Sequence, residues 1–599
     1  MSARYCQLFV LLVSVLDAAQ GAESPRAAAP VVPVAIAPDD RSVSALRSII
    51  QRYVTDRAAL DRLRDVPFSP ARAERARRFL DEQQKALGSV SFPTLDPDSR
   101  VDYVLFQSRL RFEQQELKRE AVRFQEVQPW APFASPILSI VEARRGGHPL
   151  DMPQIAQQIV RLGDQAAETK KGLEETLKEK PASGATNATS RPLSKTLANR
   201  VARSVDQLRD ALRDWNGFYS GYDPEFGWWM KQPFERCDKQ LLEYASALRK
   251  EVVGIKEGED APLVGDPIGR EALMSALADE MIPYTPEELI RIGEAEFAWC
   301  DKEWRRAAQD LGFGDDWRKA LDHVSSLHVK PGAQPRLISE LADEAVRFLE
   351  ERDLVTIPPL CKEVWRMEMM SPERQKVNPY FTGGEVISIS FPTDGMTHED
   401  KVMSLRGNNI HFCRATVQHE LIPGHHLQGF MAARYRTHRS LFYTPFLVEG
   451  WALYWEMLLW DLGFPKTPED RVGMLFWRTH RCARILFSLK FHMGQMSAQE
   501  AVDFLVDRVG HERRNATAEV RRSIIGGYGP LYQAAYMLGG LQLRALRNEL
   551  VESGKMTHRQ FHDAVLRENT IPIEMIRASL TGQPPVADFA PRWRFYPGL

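Results

Sequence analysis

From Ser42 almost to the end of the chain, apolar residues recur at intervals of three and four, and this regularity excludes most fold classes. The segments SALRSIIQRYVTDRAALDRLRDV and SRVDYVLFQSRLRFEQQELKREAVRFQ show it, as do LANRVARSVDQLRDALRDW and LLEYASALRKEVVGI. Such spacing predicts helices that each bury one face. One stretch departs from it, Asn378 to Asp394, which reads NPYFTGGEVISISFPTD. Its run from Val386 to Phe391 is short and β-branched, with glycine before it and proline after, and predicts a strand in a small sheet. Helical spacing resumes after residue 400 and continues to about residue 580. No repeat with a period of roughly 20–50 residues is visible. The expected fold is mainly α, a large multi-helix structure with a small β element beside the functional region.

Composition narrows the function. Apolar residues make up 44% and charged residues 26%, as in folded soluble proteins and unlike disordered ones. The 78 Lys and Arg against 80 Asp and Glu exclude a globally basic nucleic-acid binder. Six cysteines among 599 residues cannot build a disulfide scaffold.

The chain opens MSARYCQLFVLLVSVLDAAQGAES. Arg4, the apolar run Leu8 to Leu16, and the small residues Ala19 and Gly21 predict a secretory signal peptide over residues 1–22. That run is shorter than the roughly 20 residues a membrane-spanning helix needs, and no later stretch is long and apolar enough. The expectation is an exported protein, periplasmic or secreted, with no integral membrane segment after processing. Residues 23–40, rich in Ala, Pro and Val, read as a flexible lead-in, and residues 41–599 as one large helical domain. A division into two lobes is left open, with a Pro-, Gly-, Ser- and Thr-containing loop near 178–195. Processing removes Cys6. The five remaining cysteines, Cys237, Cys300, Cys361, Cys413 and Cys482, form no C-x-x-C pair, which argues against a thiolate metal site but leaves room for one or two disulfides.

Histidine carries the chemistry. Three of the fourteen histidines lie in Gln418-His419-Glu420-Leu421-Ile422-Pro423-Gly424-His425-His426, and Glu449 follows 24 residues after His425 in VEGWALYWE. Two imidazoles and a carboxylate form a zinc ligand set that leaves a position open for water. The peptidase pattern H-E-x-x-H puts both histidines on one helix face, one turn apart, with the glutamate as general base. This chain has no H-E-x-x-H. In a regular helix, six residues rotate the chain by about 600°, so His419 and His425 would diverge by about 120°. His426 would lie about 20° from the His419 face but about 10.5 Å along the axis. Pro423 breaks the helix and Gly424 tolerates unusual backbone angles, so the pair can host a two-residue bulge. Removing two residues from HELIPGH restores the H-E-x-x-H spacing. The predicted ligands are therefore His419, His425 and Glu449, with His426 as the alternative to His425. Glu456, seven residues beyond Glu449 on the same face, reads as a partner of a ligand or an exposed charge.

HELIPGHHLQ, EGWALYWE and YQAAYMLGGLQLRALR together resemble the bacterial family called domain of unknown function 885, sharply over residues 378–580 and diffusely before that. The resemblance implies a mainly helical zinc metallopeptidase, similar in plan to the thimet oligopeptidase and angiotensin-converting enzyme group. A glutamate downstream of the histidine motif completes the metal site in that group. It implies one Zn²⁺, a peptide substrate, Glu420 as general base, and a late tyrosine that stabilises the oxyanion. Tyr528, Tyr532 and Tyr536 lie in GGYGPLYQAAYMLGG, with Tyr536 the first choice for that role and Tyr528 the second. It also implies that a strand near the zinc, here 386–391, offers its edge to an extended peptide. Arg521, Arg522, Arg544 and Arg547 are candidates for a substrate carboxylate, although a solvated helix face accounts for most of them. Two competing functions remain. One is a non-haem iron oxygenase, whose facial triad also uses two histidines and a carboxylate. The other is a non-catalytic binding protein on the same fold.

Overall fold

The computed structural model describes residues 44–598 apart from 64, 179–192, 222, 259–260, 376–380 and 526. The signal peptide, the lead-in and nearly all of the 178–195 loop lie outside the described residues. The structure is mainly α. Local sequence sets many of the helix starts. Asp96 accepts a hydrogen bond from Ser99 N–H ahead of Pro97–Val127. Thr285 with Glu288, Ser497 with Glu500, and Thr557 with Gln560 form reciprocal capping boxes. The periodic segments fold as expected into Arg47–Asp61, Pro97–Val127, Lys195–Tyr219 and Pro224–Ala247.

Buried apolar residues form three clusters. The largest joins the first helices to the C-terminal half. A second lies almost wholly between Val127 and Val264. The third packs Ile387 and Ile389 of the sheet against Cys413, Val417 and Leu421, and so fixes the β element to the histidine motif.

The sheet has two parallel strands, β1 (Arg366–Met369) and β2 (Val386–Ile389). Arg366 pairs with Val386 and Met369 with Ile389. The predicted strand thus stops two residues early. The Gln375 side-chain oxygen accepts hydrogen bonds from Phe391 N–H at 3.0 Å, a backbone donor that would otherwise be free to extend the strand, and from Ser390 Oγ at 2.9 Å. The expected open edge is also partly filled. Ser388 and Thr382 exchange both backbone hydrogen bonds, at 2.8 and 3.2 Å, so the chain itself occupies the centre of the β2 edge.

Three helices frame the motif. The central helix, Pro468–His492, is buried along almost its whole length, which a helix achieves only when neighbours cover it on every side. The carboxylate helix, Pro445–Asp461, packs against the tyrosine helix, Tyr532–Arg547. Their backbones meet at Gly450 and Gly539: a Cβ on Gly539 would lie 1.8 Å from Phe446 O. Glycine is required at that crossing, and the close approach brings Glu449 up to the tyrosines. All five described cysteines are free and buried, so the disulfides allowed by the sequence are not formed. The closest approach is between Cys300 and Cys482, with sulfurs 4.0 Å apart. Among the described residues no helix is long and apolar enough to cross a membrane.

Candidate metal centre

The histidine motif keeps helical register across a break. Leu421 N–H donates to Val417 O at 2.9 Å, closing the last regular turn of Ile410–Glu420. Gly424 N–H then reaches Gln418 O at 2.9 Å and Leu427 N–H reaches Leu421 O at 3.3 Å, each spanning six residues where a regular helix spans four. Two residues are looped out, and a new helix starts at His425. The chain turns at Leu421 (φ −104°, ψ −105°) and Gly424 (φ −77°, ψ −134°), and the Ile422–Pro423 peptide is cis. A Cβ on Gly424 would lie 1.8 Å from His419 O, so only glycine fits. Trp451 Nε1 donates to Pro423 O at 2.7 Å and ties the bulge to the carboxylate helix.

The bulge brings His419, His425 and Glu449 together, with one ligand atom of each within 4.8 Å of the others. Glu449 Oε2 lies 3.8 Å from His419 Nε2 and 3.2 Å from His425 Nε2. The two imidazole rings are nearly perpendicular, with centroids 4.8 Å apart. Tyr532 donates its hydroxyl to Glu449 Oε1, while Glu449 Oε2 is buried without a hydrogen-bond partner. His419 Nδ1 is 2.7 Å from Glu456 Oε1, which orients the ring with Nε2 toward Glu449. Glu456 is buried rather than exposed, and it is the hydrogen-bond partner of the candidate ligand His419.

Electrostatics support a cation here. Burial alone would lower the pKa of His419, but Glu449 and Glu456 raise it to about 9. Burial works against the Glu449 carboxylate, yet His425 and His419 hold it ionised well below the usual carboxylate range. Three carboxylates, Glu449, Glu456 and Glu420, thus share this space with two imidazoles. An unpaired buried carboxylate oxygen is costly, and a divalent cation between these ligands would satisfy it.

Burial raises the pKa of Glu420, next to His419. Its backbone oxygen accepts a bond from Gly384 N–H at 3.3 Å, linking the sheet loop to the motif. The Tyr536 ring stacks on His419 at 6.2 Å and 12°. Tyr528 is farther out, 41% exposed, with its ring 4.5 Å from that of Tyr532. The alternative ligand His426 points elsewhere: its Nε2 is 2.8 Å from Cys361 O, so the geometry does not offer it to the same ion.

Three residues escaped the sequence reading, and a fourth, Tyr532, was named there without a role. Tyr532 holds Glu449. Tyr443 lies in the field of Glu449, Tyr536, Glu280 and Tyr528 but sits in a loop with no motif. The guanidiniums of Arg481 and Arg484 lie 5.1 and 4.5 Å from the Tyr536 ring centre, on a helix whose uniform burial hides any face. Three of the four arginines considered for a substrate carboxylate are engaged elsewhere. Arg521 donates to Ala261 O, Arg544 to Asp461, and Arg547 pairs with Glu552.

The chain belongs to the family described as bacterial protein of unknown function (DUF885), whose model matches residues 51–580. No curated protein matches its sequence. Among solved structures, one described as "a putative lipoprotein of unknown function" from Shewanella oneidensis shares the fold. It has 18% identity and a TM-score of 0.64 over 89% of this chain and 99% of that one. A "putative lipoprotein" from Colwellia psychrerythraea is 16% identical over 72% of this chain and 77% of that one, with a TM-score of 0.48.

Proposed function

We propose that this protein is an exported zinc-dependent peptidase that hydrolyses short peptides. The observation that carries the reading is the unpartnered Glu449 Oε2 beside two imidazole nitrogens, with Glu420 immediately following one of the ligands. The fold resembles that of a protein described as a lipoprotein, and the chain opens with a signal-like segment; both support a place in the cell envelope.

His419, His425 and Glu449 would hold the ion. When bound, zinc supplies Lewis-acid chemistry, lowering the pKa of a water and polarising a carbonyl. Glu456 fixes His419 by accepting from Nδ1–H, which leaves the Nε2 lone pair for the metal. Tyr532 fixes Glu449 by donating its hydroxyl to Oε1, which leaves Oε2 for the metal. Glu420 takes a proton from the attacking water and returns it to the leaving amine, and its raised proton affinity suits both steps. Tyr536, stacked beside His419, donates to the developing oxyanion.

Mass spectrometry of a mixed peptide library, incubated with and without a chelator, tests this. Cleavage that stops with chelator and returns with zinc is expected. No cleavage under any metal condition overturns the reading, and iron content with oxygen consumption would replace it by the oxygenase.

A further inference from the structure

Next to the metal ligands lies a concentration of positive charge that the proposed hydrolysis does not use. Arg481 and Arg484 on the central helix are 5% and 3% exposed, and both guanidiniums lie over the Tyr536 ring. Arg522, on Arg513–Ile525, lies 5.2 Å from the ring centre of Tyr528, where the cluster meets solvent. Carboxylates pair with only part of it, and Glu519 faces both Arg484 and Arg522. Arg484 Nε donates to Glu519 at 2.7 Å. The nearest carboxylate to Arg481 is Glu456 at 3.9 Å, which is already bonded to His419. Arg481 Nε and Arg522 Nε are buried with no hydrogen-bond partner. His480 and His511, packed beside the cluster, bond to each other at 2.8 Å. Burial lowers the pKa of both, so neither adds positive charge to the cluster.

Buried guanidinium nitrogens without partners are costly, and a planar carboxylate matches their donor geometry. The position also suits a substrate. Tyr536 stacks on His419 at 6.2 Å and has both the Arg481 and Arg484 guanidiniums within 5.1 Å of its ring centre, so the cluster lies within reach of one or two extended residues, at about 3.5 Å each, from the metal position. We propose that Arg481, Arg484 and Arg522 form a carboxylate subsite beside the metal position, and that the substrate is a short peptide held by its C-terminal carboxylate. This rests on the peptidase reading for its substrate class. It makes the enzyme one that removes one or two residues from the C-terminus.

Calorimetric binding to the metal-free protein, where no turnover occurs, separates this from the failure of hydrolysis itself. The probes are acetyl-Ala-Ala-Phe, its C-terminal amide, and acetyl-Ala-Ala-Glu amide, which carries its carboxylate on a side chain. The acid should bind about tenfold or more tightly than its amide, as for charge-assisted hydrogen bonds. Arg522→Gln, at the solvent edge of the cluster, should reduce that ratio to about threefold or less, and Arg522→Lys should keep part of it. Equal binding of acid and amide by the wild-type protein overturns the subsite, with no variant needed. So does equal weakening of both by Arg522→Gln, which would indicate a structural role. Preference for the glutamyl amide over the acid overturns the C-terminal assignment. Absence of peptide hydrolysis by the zinc-loaded protein overturns the peptidase reading whatever the binding shows.

Discussion

The helices between Val127 and Val264 and those between Asn408 and His492 solve the packing problem differently. In the first region the buried side chains among the described residues are apolar or aromatic apart from Ser204, and charges pair closer to the surface, as where Arg209 and Arg213 both grip Asp238 at 2.8 and 2.7 Å. The second region buries His419, Glu449, Glu456, Arg481 and Arg484. Several of these carry polar atoms with no partner, a cost that stability alone does not justify. That contrast supports placing the proposed site in the second region.

Substitutions can break that contrast. Glu420→Gln should lower turnover by about a thousandfold, as for loss of a general base, while metal content is unchanged. Retained turnover would remove Glu420 from that role. In the apolar region, Leu208→Ala should cost about 2–5 kcal/mol of stability in a denaturant titration and leave metal affinity alone. If metal binding falls too, the two regions are coupled. Glu456→Gln should weaken zinc by about 10- to 100-fold in a competition titration, because His419 loses its orienting partner. The smallest effect concerns Glu280, whose pKa is raised to about 8 by burial and by Asp279. Its protonated form favours the folded state, so that stability is present below about pH 4.5 and is lost as the pH rises toward 8. Glu280→Gln should flatten the fall in melting temperature over that range. An unchanged pH profile would dismiss the burial argument.

The legibility of these features in the sequence follows from their physics. Helix spacing and capping residues are local, so Pro97–Val127 and its neighbours could be read directly. The convergence of the candidate ligands His419 and His425 was legible because the Pro423–Gly424 break is itself a local feature, and it accounts for the six-residue hydrogen bonds observed. β1 was not legible. Its RMEM sequence is only four residues long and has no β-branched or aromatic residue, and only pairing with Val386–Ile389 makes it a strand. The early end of β2 depends on Gln375, a contact across 16 residues. The division of labour between Tyr532 and Tyr536 depends on how the tyrosine helix is rotated at Gly539, a tertiary fact. Arg481 and Arg484 were hidden because a helix buried on all sides carries no polar face to mark them.

Zinc stoichiometry in three purified proteins tests the proposed metal centre most directly. The wild-type chain and His426→Ala should each retain one zinc per chain through dialysis, and His425→Ala should retain almost none. Retention by His425→Ala with loss from His426→Ala, or equal zinc in all three, would contradict it.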